Sequence, residues 1–122
     1  TIRNKTLESS SPLPGTTLLD ERAAATDEVK RLIAMGINKI ILLTHIGYNL
    51  DLEWMVQIPG VDVVVGGDSH SLLVTNETSV LFQGINGNYP ATVSQDDSGD
   101  LVCVVQAWEN GNGLGVLDVT FD

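Results

Sequence analysis

Two short apolar segments, at residues 39–44 and 61–65, constrain the fold of this chain most strongly. Both are rich in Val, Ile and Leu, and both have the length of a buried strand rather than of a helix. The chain contains only two histidines, and each follows one of these segments: His45 directly, and His70 after a Gly-Gly-Asp-Ser turn. Ligand sites of α/β proteins lie where buried parallel strands end. The pattern therefore predicts a metal or catalytic site at one edge of a sheet.

Helices are predicted before and between the two strands. Asp20 can cap a helix over about 21–35, and Asn49 or Asp51 can cap a shorter helix over 52–58. The resulting order is helix, strand, helix, strand. Such an order predicts two neighbouring parallel strands joined by a right-handed crossover.

The two ends of the chain carry weaker patterns. Residues 1–19 are polar and rich in Ser and Pro, which predicts a loop or an arm that could include a short strand. From residue 74 to 122, short apolar runs alternate with Gly, Asn and Asp turns, which predicts a β-meander. Its predicted strands are 80–82, 91–93, 101–106 and 115–121. We therefore divide the chain into an arm (1–19), a site-bearing unit (20–73) and a meander (74–122), in the α/β (α+β) class.

Composition excludes two classes of function. With 122 residues and 43% apolar content, the chain can bury the core of one domain. Its net charge of −10 would repel a phosphate backbone, so we expect no binding to nucleic acid. No apolar run approaches the roughly 20 residues that a membrane-spanning helix needs, so no span is predicted.

Both histidine-bearing segments resemble blocks of the 5′-nucleotidase family of metallophosphoesterases, which have a calcineurin-like phosphoesterase domain. Residues 38–48 are similar to the block that carries a metal-binding His, and 60–73 to the Gly-Gly-His-Ser-His block. Residues 104–108 and 115–122 resemble the end of the same domain. The resemblance implies that the chain is the C-terminal half of this domain, a four-layer sandwich. Two parallel strands with helices, followed by the meander, would form that half.

The resemblance also implies a metal site. The intact parent would use two divalent metal ions, Zn, Mn or Mg, of which His70 would bind the first and His45 the second. Asp68 stands where many members carry the first His of the Gly-Gly-His-Ser-His block. A carboxylate is a harder ligand than imidazole, so this departure favours Mn²⁺ or Mg²⁺ over Zn²⁺.

The resemblance finds no counterpart here for the Asp-x-His, Gly-Asp and Gly-Asn-His blocks of the family's first half. Asp68-Ser69-His70 has the letters of Asp-x-His but lies in the later block, and Gly99-Asp100 has those of Gly-Asp but lies in a predicted turn. Those blocks supply the bridging carboxylate and the catalytic His, so no catalytic residue is assigned in this chain. The resemblance then implies four things: partners in a missing N-terminal half and a C-terminal nucleoside-binding domain; a nucleotide substrate; inactivity of the chain alone; and a periplasmic, secreted or cell-surface location. An uncovered sheet face and edge would also favour self-association.

Other interpretations stay open at this stage. The chain could be a non-catalytic α/β interaction module, with His45 in a core or capping role and His70 and Asp68 capping a turn. It could also belong to a related phosphoesterase, such as a 2′,3′-cyclic nucleotide phosphodiesterase or a nucleotide-sugar or dinucleotide hydrolase. The acidic run 96–100 suggests a calcium loop only loosely, and we interpret it as a hairpin turn.

Overall fold

The computed structural model describes residues 1–75 and 84–121 and has a mixed α/β architecture. In chain order its strands are β1 (Ile41–Leu43), β2 (Val63–Val65), β3 (Leu72–Val74), β4 (Ile85–Asn88), β5 (Ala91–Ser94) and β6 (Leu101–Val105). Its helices are α1 (Arg3–Ser10), α2 (Glu21–Ala34) and α3 (Tyr48–Leu50), and α3 continues into a π-helical turn at Asp51–Met55. The predicted α/β class is confirmed.

The main sheet has the strand order β1-β2-β6-β5. β1, β2 and β6 run parallel, and β5 is antiparallel to β6. The register aligns Leu42, Val64 and Val104 across the three parallel strands. Val64 and Val104 are fully buried, as is Val29 of α2, so α2 covers this face of the sheet. The predicted parallel pairing of the first two strands is confirmed.

Helix α2 forms where the sequence predicts it. The side chain of Asp20 accepts a hydrogen bond from the backbone N–H of Ala23 at 2.8 Å, which satisfies one of the free donors of the first turn. The helix ends at Ala34, and Gly36 follows with a φ of +83° that favours glycine. Local capping signals therefore fix both ends of this element.

The arm predicted over residues 1–19 is partly wrong, because Arg3–Ser10 form helix α1 and no strand. This helix buries none of its residues and lacks apolar periodicity, so no local sequence pattern predicts it. Contacts with the rest of the chain hold it instead. The backbone N–H of Ile2 donates to the carbonyl of His45 at 3.2 Å, and Lys5 pairs with Asp68.

The crossover segment also differs from its prediction. Helical structure begins at Tyr48 rather than at 52, and the side chain of Asp51 makes no capping hydrogen bond. Instead, the backbone N–H of Val56 donates to the carbonyl of Asp51 at 3.2 Å, five residues earlier, which is the bond of a π-turn. This wider turn leaves Asp51 inside the protein, where its side chain has no exposed surface.

The predicted β-meander is largely wrong. β6 pairs with β2 in the parallel sheet, so only β5 and β6 form a consecutive antiparallel pair. Residues predicted as a turn form β4, which is parallel to β3. Residues 115–121 form no strand, since no described strand pairs with them; the predicted strand 80–82 lies outside the described residues. Strand partners far apart in the chain decided these differences, and local patterns do not encode them.

The second face of the main sheet is open along β1 and at the end of β2. Ile41 is 55% exposed and Leu43 is 82% exposed, and the neighbouring Val65 is also exposed. Large apolar side chains on one sheet face form a surface that favours association. Self-association stays a prediction. In the part of the chain that the structure describes, no helix has the length and apolarity to span a membrane.

Candidate functional site

His45 and Asp68 lie together beyond the carboxyl ends of β1 and β2. The Nε2 atom of His45 is 3.8 Å from Oδ1 of Asp68. Two ligands of one divalent ion, each about 2.1 Å from it, are separated by about 3–4 Å, so this spacing suits a shared ion. The imidazole is 66% exposed, whereas the Asp68 side chain is only 16% exposed. One accessible nitrogen and one partly buried carboxylate are thus available at this edge.

Glycines allow the close approach of these two loops. The backbone N–H of Gly47 donates to the carbonyl of Gly67 at 3.1 Å, which joins the loop after β1 to the loop after β2. A Cβ atom at Gly67 would lie only 2.8 Å from Nδ1 of His45. The imidazole therefore rests directly against the backbone of the Gly-Gly turn, and a side chain there would displace it.

The turn after β2 holds its two candidate ligands in an uncommon backbone conformation. Asp68 has a φ of +79° and His70 a φ of +53°. Left-handed conformations of non-glycine residues cost about 1–3 kcal/mol and persist where surrounding contacts impose them, often at functional sites. One such contact comes from Ser69, whose hydroxyl accepts a hydrogen bond from the backbone N–H of Tyr48 at 3.0 Å.

A lysine already pairs with the candidate carboxylate. Nζ of Lys5 is 2.5 Å from Oδ2 of Asp68. The ammonium group is largely exposed and can move away, since a surface ion pair contributes little free energy. The carboxylate that the sequence predicts as a metal ligand is therefore paired with a positive charge, and a metal ion would compete with Lys5 for it.

His70 is held by a different partner. Its Nδ1 atom is 2.8 Å from Oε2 of Glu109, in the segment after β6. Within residues 1–75 and 84–121, no three His, Cys, Asp or Glu side chains are grouped closely enough to hold a metal ion. The structure thus brings His45 and Asp68 together but does not bring His70 to them. His45 and Asp68 offer two donors, which would fill only part of the coordination shell of one ion.

Three polar residues near this edge were not assigned to the site from sequence: Asp51, Gln106 and Glu109. Asp51 and Gln106 lie in or beside apolar runs, which gave no functional signal, and Glu109 lies in a loop. Asp51 was considered only as a cap. It is fully buried, and neither of its carboxylate oxygens accepts a hydrogen bond from another described residue. Its Oδ2 lies so close to Gly66 that a Cβ atom there would collide with it.

Burial raises the pKa of the Asp51 carboxyl to about 6. The nearby Thr44 hydroxyl favours the charged form and offsets this only in part. That hydroxyl also faces the carbonyl of Val65, at 3.5 Å. Asp51 therefore holds its proton more tightly in the folded chain than in the unfolded chain.

We expect this burial to make stability fall as the pH rises. From about pH 4 to about pH 6, the folded chain keeps the Asp51 proton that the unfolded chain releases, so the free energy of unfolding decreases by about 3 kcal/mol. Asp51→Asn should remove this decline, as measured by urea unfolding at several pH values. Asp97→Asn, in an exposed turn, is the matched control. A decline in Asp51→Asn as steep as in the wild type would contradict the assignment.

Comparisons of sequence identify relatives over nearly the whole chain. A probable 5′-nucleotidase of Treponema pallidum is 41% identical over 118 residues, covering 97% of this chain and 20% of the relative. The 5′-nucleotidase of Bos taurus is 45% identical over 112 residues, covering 89% of this chain and 19% of the relative. No protein-family model matches the chain. The chain thus spans about a fifth of the length of these relatives.

Comparisons of structure identify nucleotidases, as the comparisons of sequence do. The crystal structure of a 5′-nucleotidase precursor from Thermus thermophilus matches 82% of this chain with a TM-score of 0.72 and 42% identity. The structure of Haemophilus influenzae NAD nucleotidase matches 86% of this chain with a TM-score of 0.78 and 37% identity. The matches cover 19% and 18% of those two chains, respectively. Both the sequence and the fold of this chain therefore match one segment of larger nucleotidases.

Proposed function

Because the chain is related in sequence and fold to one segment of 5′-nucleotidases, we propose that it forms the C-terminal half of a metallophosphoesterase domain that hydrolyses nucleotide phosphoesters. The observation that carries this proposal is the pair of His45 Nε2 and Asp68 Oδ1, 3.8 Å apart where β1 and β2 end. This pair lies in the part of the chain that most resembles the metal-binding blocks of the family.

In this proposal His45 offers Nε2 and Asp68 offers a carboxylate oxygen to one divalent ion, and His70 offers a ring nitrogen to the other. A pair of divalent ions would supply an activated water and stabilise charge on the departing oxygen. Lys5 must leave Asp68 when the ion binds. We leave the choice among Zn, Mn and Mg open, although the carboxylate favours Mn²⁺ or Mg²⁺.

The remaining partners follow from the same proposal. The N-terminal half of the catalytic domain would add the other ligands and the catalytic His, and a C-terminal domain would hold the nucleoside. The open sheet face at Ile41 and Leu43 is a surface that another part of such a domain could cover. One relative is a snake venom 5′-nucleotidase, which supports a periplasmic, secreted or cell-surface location.

Metal titration tests the proposal directly. Mn²⁺ added to the isotope-labelled chain should broaden the NMR signals of His45 and Asp68 first, because a paramagnetic ion relaxes the nuclei nearest to it. Asp68→Ala should weaken this response by about tenfold or more. The matched control is Asp97→Ala, which removes an exposed carboxylate from the acidic turn and should change nothing at His45. Broadening that starts in the turn 96–100 and spares His45 would contradict the proposed site.

A dinucleotide hydrolase is the second candidate. It is favoured by the likeness to Haemophilus influenzae NAD nucleotidase, which has the higher TM-score of the two structures above. Assays of the protein with its complete catalytic domain on AMP and on NAD decide between the two substrates. A non-catalytic interaction module would instead hydrolyse neither and would show no metal response at His45.

A further inference from the structure

The segment that follows β6, residues 106–109, contacts the loop carrying His70 at three positions. Gln106 reaches the backbone of that loop, Ala107 forms an isolated antiparallel bridge with Leu72, and Glu109 reaches the ring of His70. The two segments are more than thirty residues apart in the sequence, so only the fold brings them together. They converge on a residue whose backbone is in the left-handed region.

Gln106 fixes the backbone of the loop. Its side chain is only 3% exposed. In the amide orientation that satisfies both ends, the oxygen accepts hydrogen bonds from the backbone N–H groups of His70 at 3.1 Å and Ser71 at 3.0 Å. The nitrogen end then lies 3.3 Å from the hydroxyl of Ser69. A buried amide that satisfies two consecutive N–H groups holds them firmly, since leaving them unpaired is costly.

Glu109 contacts the ring of His70, which is 63% exposed. The Oε2 atom of Glu109 is 2.8 Å from Nδ1 of His70, the separation of a close ion pair. An unprotonated Nδ1 would direct its lone pair at the negative carboxylate, so this contact favours the ring hydrogen on Nδ1. A neutral imidazole has one protonated nitrogen and one with a free lone pair, so Nε2 is left unprotonated. Metal-binding histidines commonly donate their second ring N–H to a carboxylate in this manner.

We infer that Gln106 and Glu109 are positioning residues, which hold His70 so that Nε2 is free to bind a divalent metal ion. Gln106 acts through the backbone and Glu109 through the tautomer of the ring. The inference rests on the proposed function for its metal, but the placement of the ring hydrogen is a property of this chain alone.

NMR of the imidazole nitrogens in the whole chain tests the inference without metal. The spectra are recorded under conditions in which the nitrogen shifts themselves show a neutral ring. We expect wild-type His70 to carry its hydrogen on Nδ1. Glu109→Ala should convert it mainly to the Nε2–H form, which free imidazole side chains favour in water, and Glu109→Gln, which keeps an acceptor oxygen, should largely retain Nδ1–H. His45 is the internal control, and Glu53→Ala, which removes an exposed acid on the crossover helix, is the matched control variant.

Hydrogen exchange tests the role of Gln106. Gln106→Met keeps the volume of the side chain but removes its acceptor, so the amide hydrogens of His70 and Ser71 should exchange about tenfold faster, with little change in β2 or β6. Two results would overturn the role of Glu109. One is a wild-type His70 that carries its hydrogen on Nε2, and the other is a tautomer that does not change in Glu109→Ala. Equal exchange rates in Gln106→Met and wild type would overturn the role of Gln106.

Zn²⁺ alone serves as the probe for the metal. In the wild type it should shift the Nε2 signal of His70, and Glu109→Ala should weaken this binding by about 10–100-fold. If His70 has the expected tautomer but Zn²⁺ never reaches Nε2, the metal role in the proposed function is overturned, while the effect of Glu109 on the ring stands. If Zn²⁺ binds equally well with and without Glu109, the positioning role is overturned and the metal site stands.

Discussion

The 122-residue chain by itself should hydrolyse AMP no faster than the buffer does. A two-metal phosphohydrolase needs ligands on both sides of a pair of ions about 3.5–4 Å apart, together with a group that protonates the leaving oxygen. In the described residues only His45 and Asp68 lie close together, and no group of three ligands is present. Two close divalent cations repel each other without a bridging anion. An ion at His45 and Asp68, or at His70, would therefore be held weakly, and the chain by itself cannot hold the bridged pair.

Phosphate release from AMP, with Mn²⁺, Mg²⁺ or Zn²⁺ present, measures this prediction. A complete 5′-nucleotidase assayed in parallel shows that each condition supports turnover. Activity that co-elutes with the purified chain during size-exclusion chromatography, and that disappears in Asp68→Ala, would contradict the prediction. Activity that persists in Asp68→Ala would point to a contaminating phosphatase instead.

In the protein that carries the complete catalytic domain, Asp68→Ala should lower turnover by about a hundredfold or more. In the proposed site the substitution removes a direct ligand, and a two-metal mechanism needs both ions in place. Asp68→His should keep much of the activity and shift the metal preference towards Zn²⁺, because imidazole is the softer ligand. Rates and metal content are measured for each variant with Mn²⁺, Mg²⁺ and Zn²⁺, at matched stability.

The left-handed backbone at Asp68 requires a further control. Asp and Asn tolerate a φ of +79° better than Ala or His do, so part of any loss could come from the backbone. Asp68→Asn keeps the shape and the backbone preference but removes the charge. We expect its activity to be nearly as low as that of Asp68→Ala. If Asp68→Asn and Asp68→Ala both matched the wild type in rate and metal content, Asp68 would be a turn residue and not a ligand.

The sequence by itself determined the elements whose signals are local. Asp20 and Gly36 mark the ends of α2, and the apolar runs 39–44 and 61–65 mark two parallel strands joined by a helical crossover. Because the carboxyl ends of neighbouring parallel strands lie at one edge of a sheet, the sequence also predicted that His45, Asp68 and His70 would converge there. The structure brings only His45 and Asp68 together. Hydrophobic periodicity and capping depend on residues a few positions apart, so they can be interpreted without the fold.

Only the tertiary structure decided the features that depend on distant partners. β6 lies beside β2 rather than in a separate meander, and residues 115–121 have alternating polarity but no described strand beside them. The contact of Glu109 with His70 and the burial of Asp51 likewise join segments that no local pattern relates. A strand pairs with a strand edge that the folded chain leaves unpaired. The contacts of a side chain likewise depend on which loops lie beside it in the fold. These outcomes depend on the whole packing arrangement, so the sequence near each residue could not predict them.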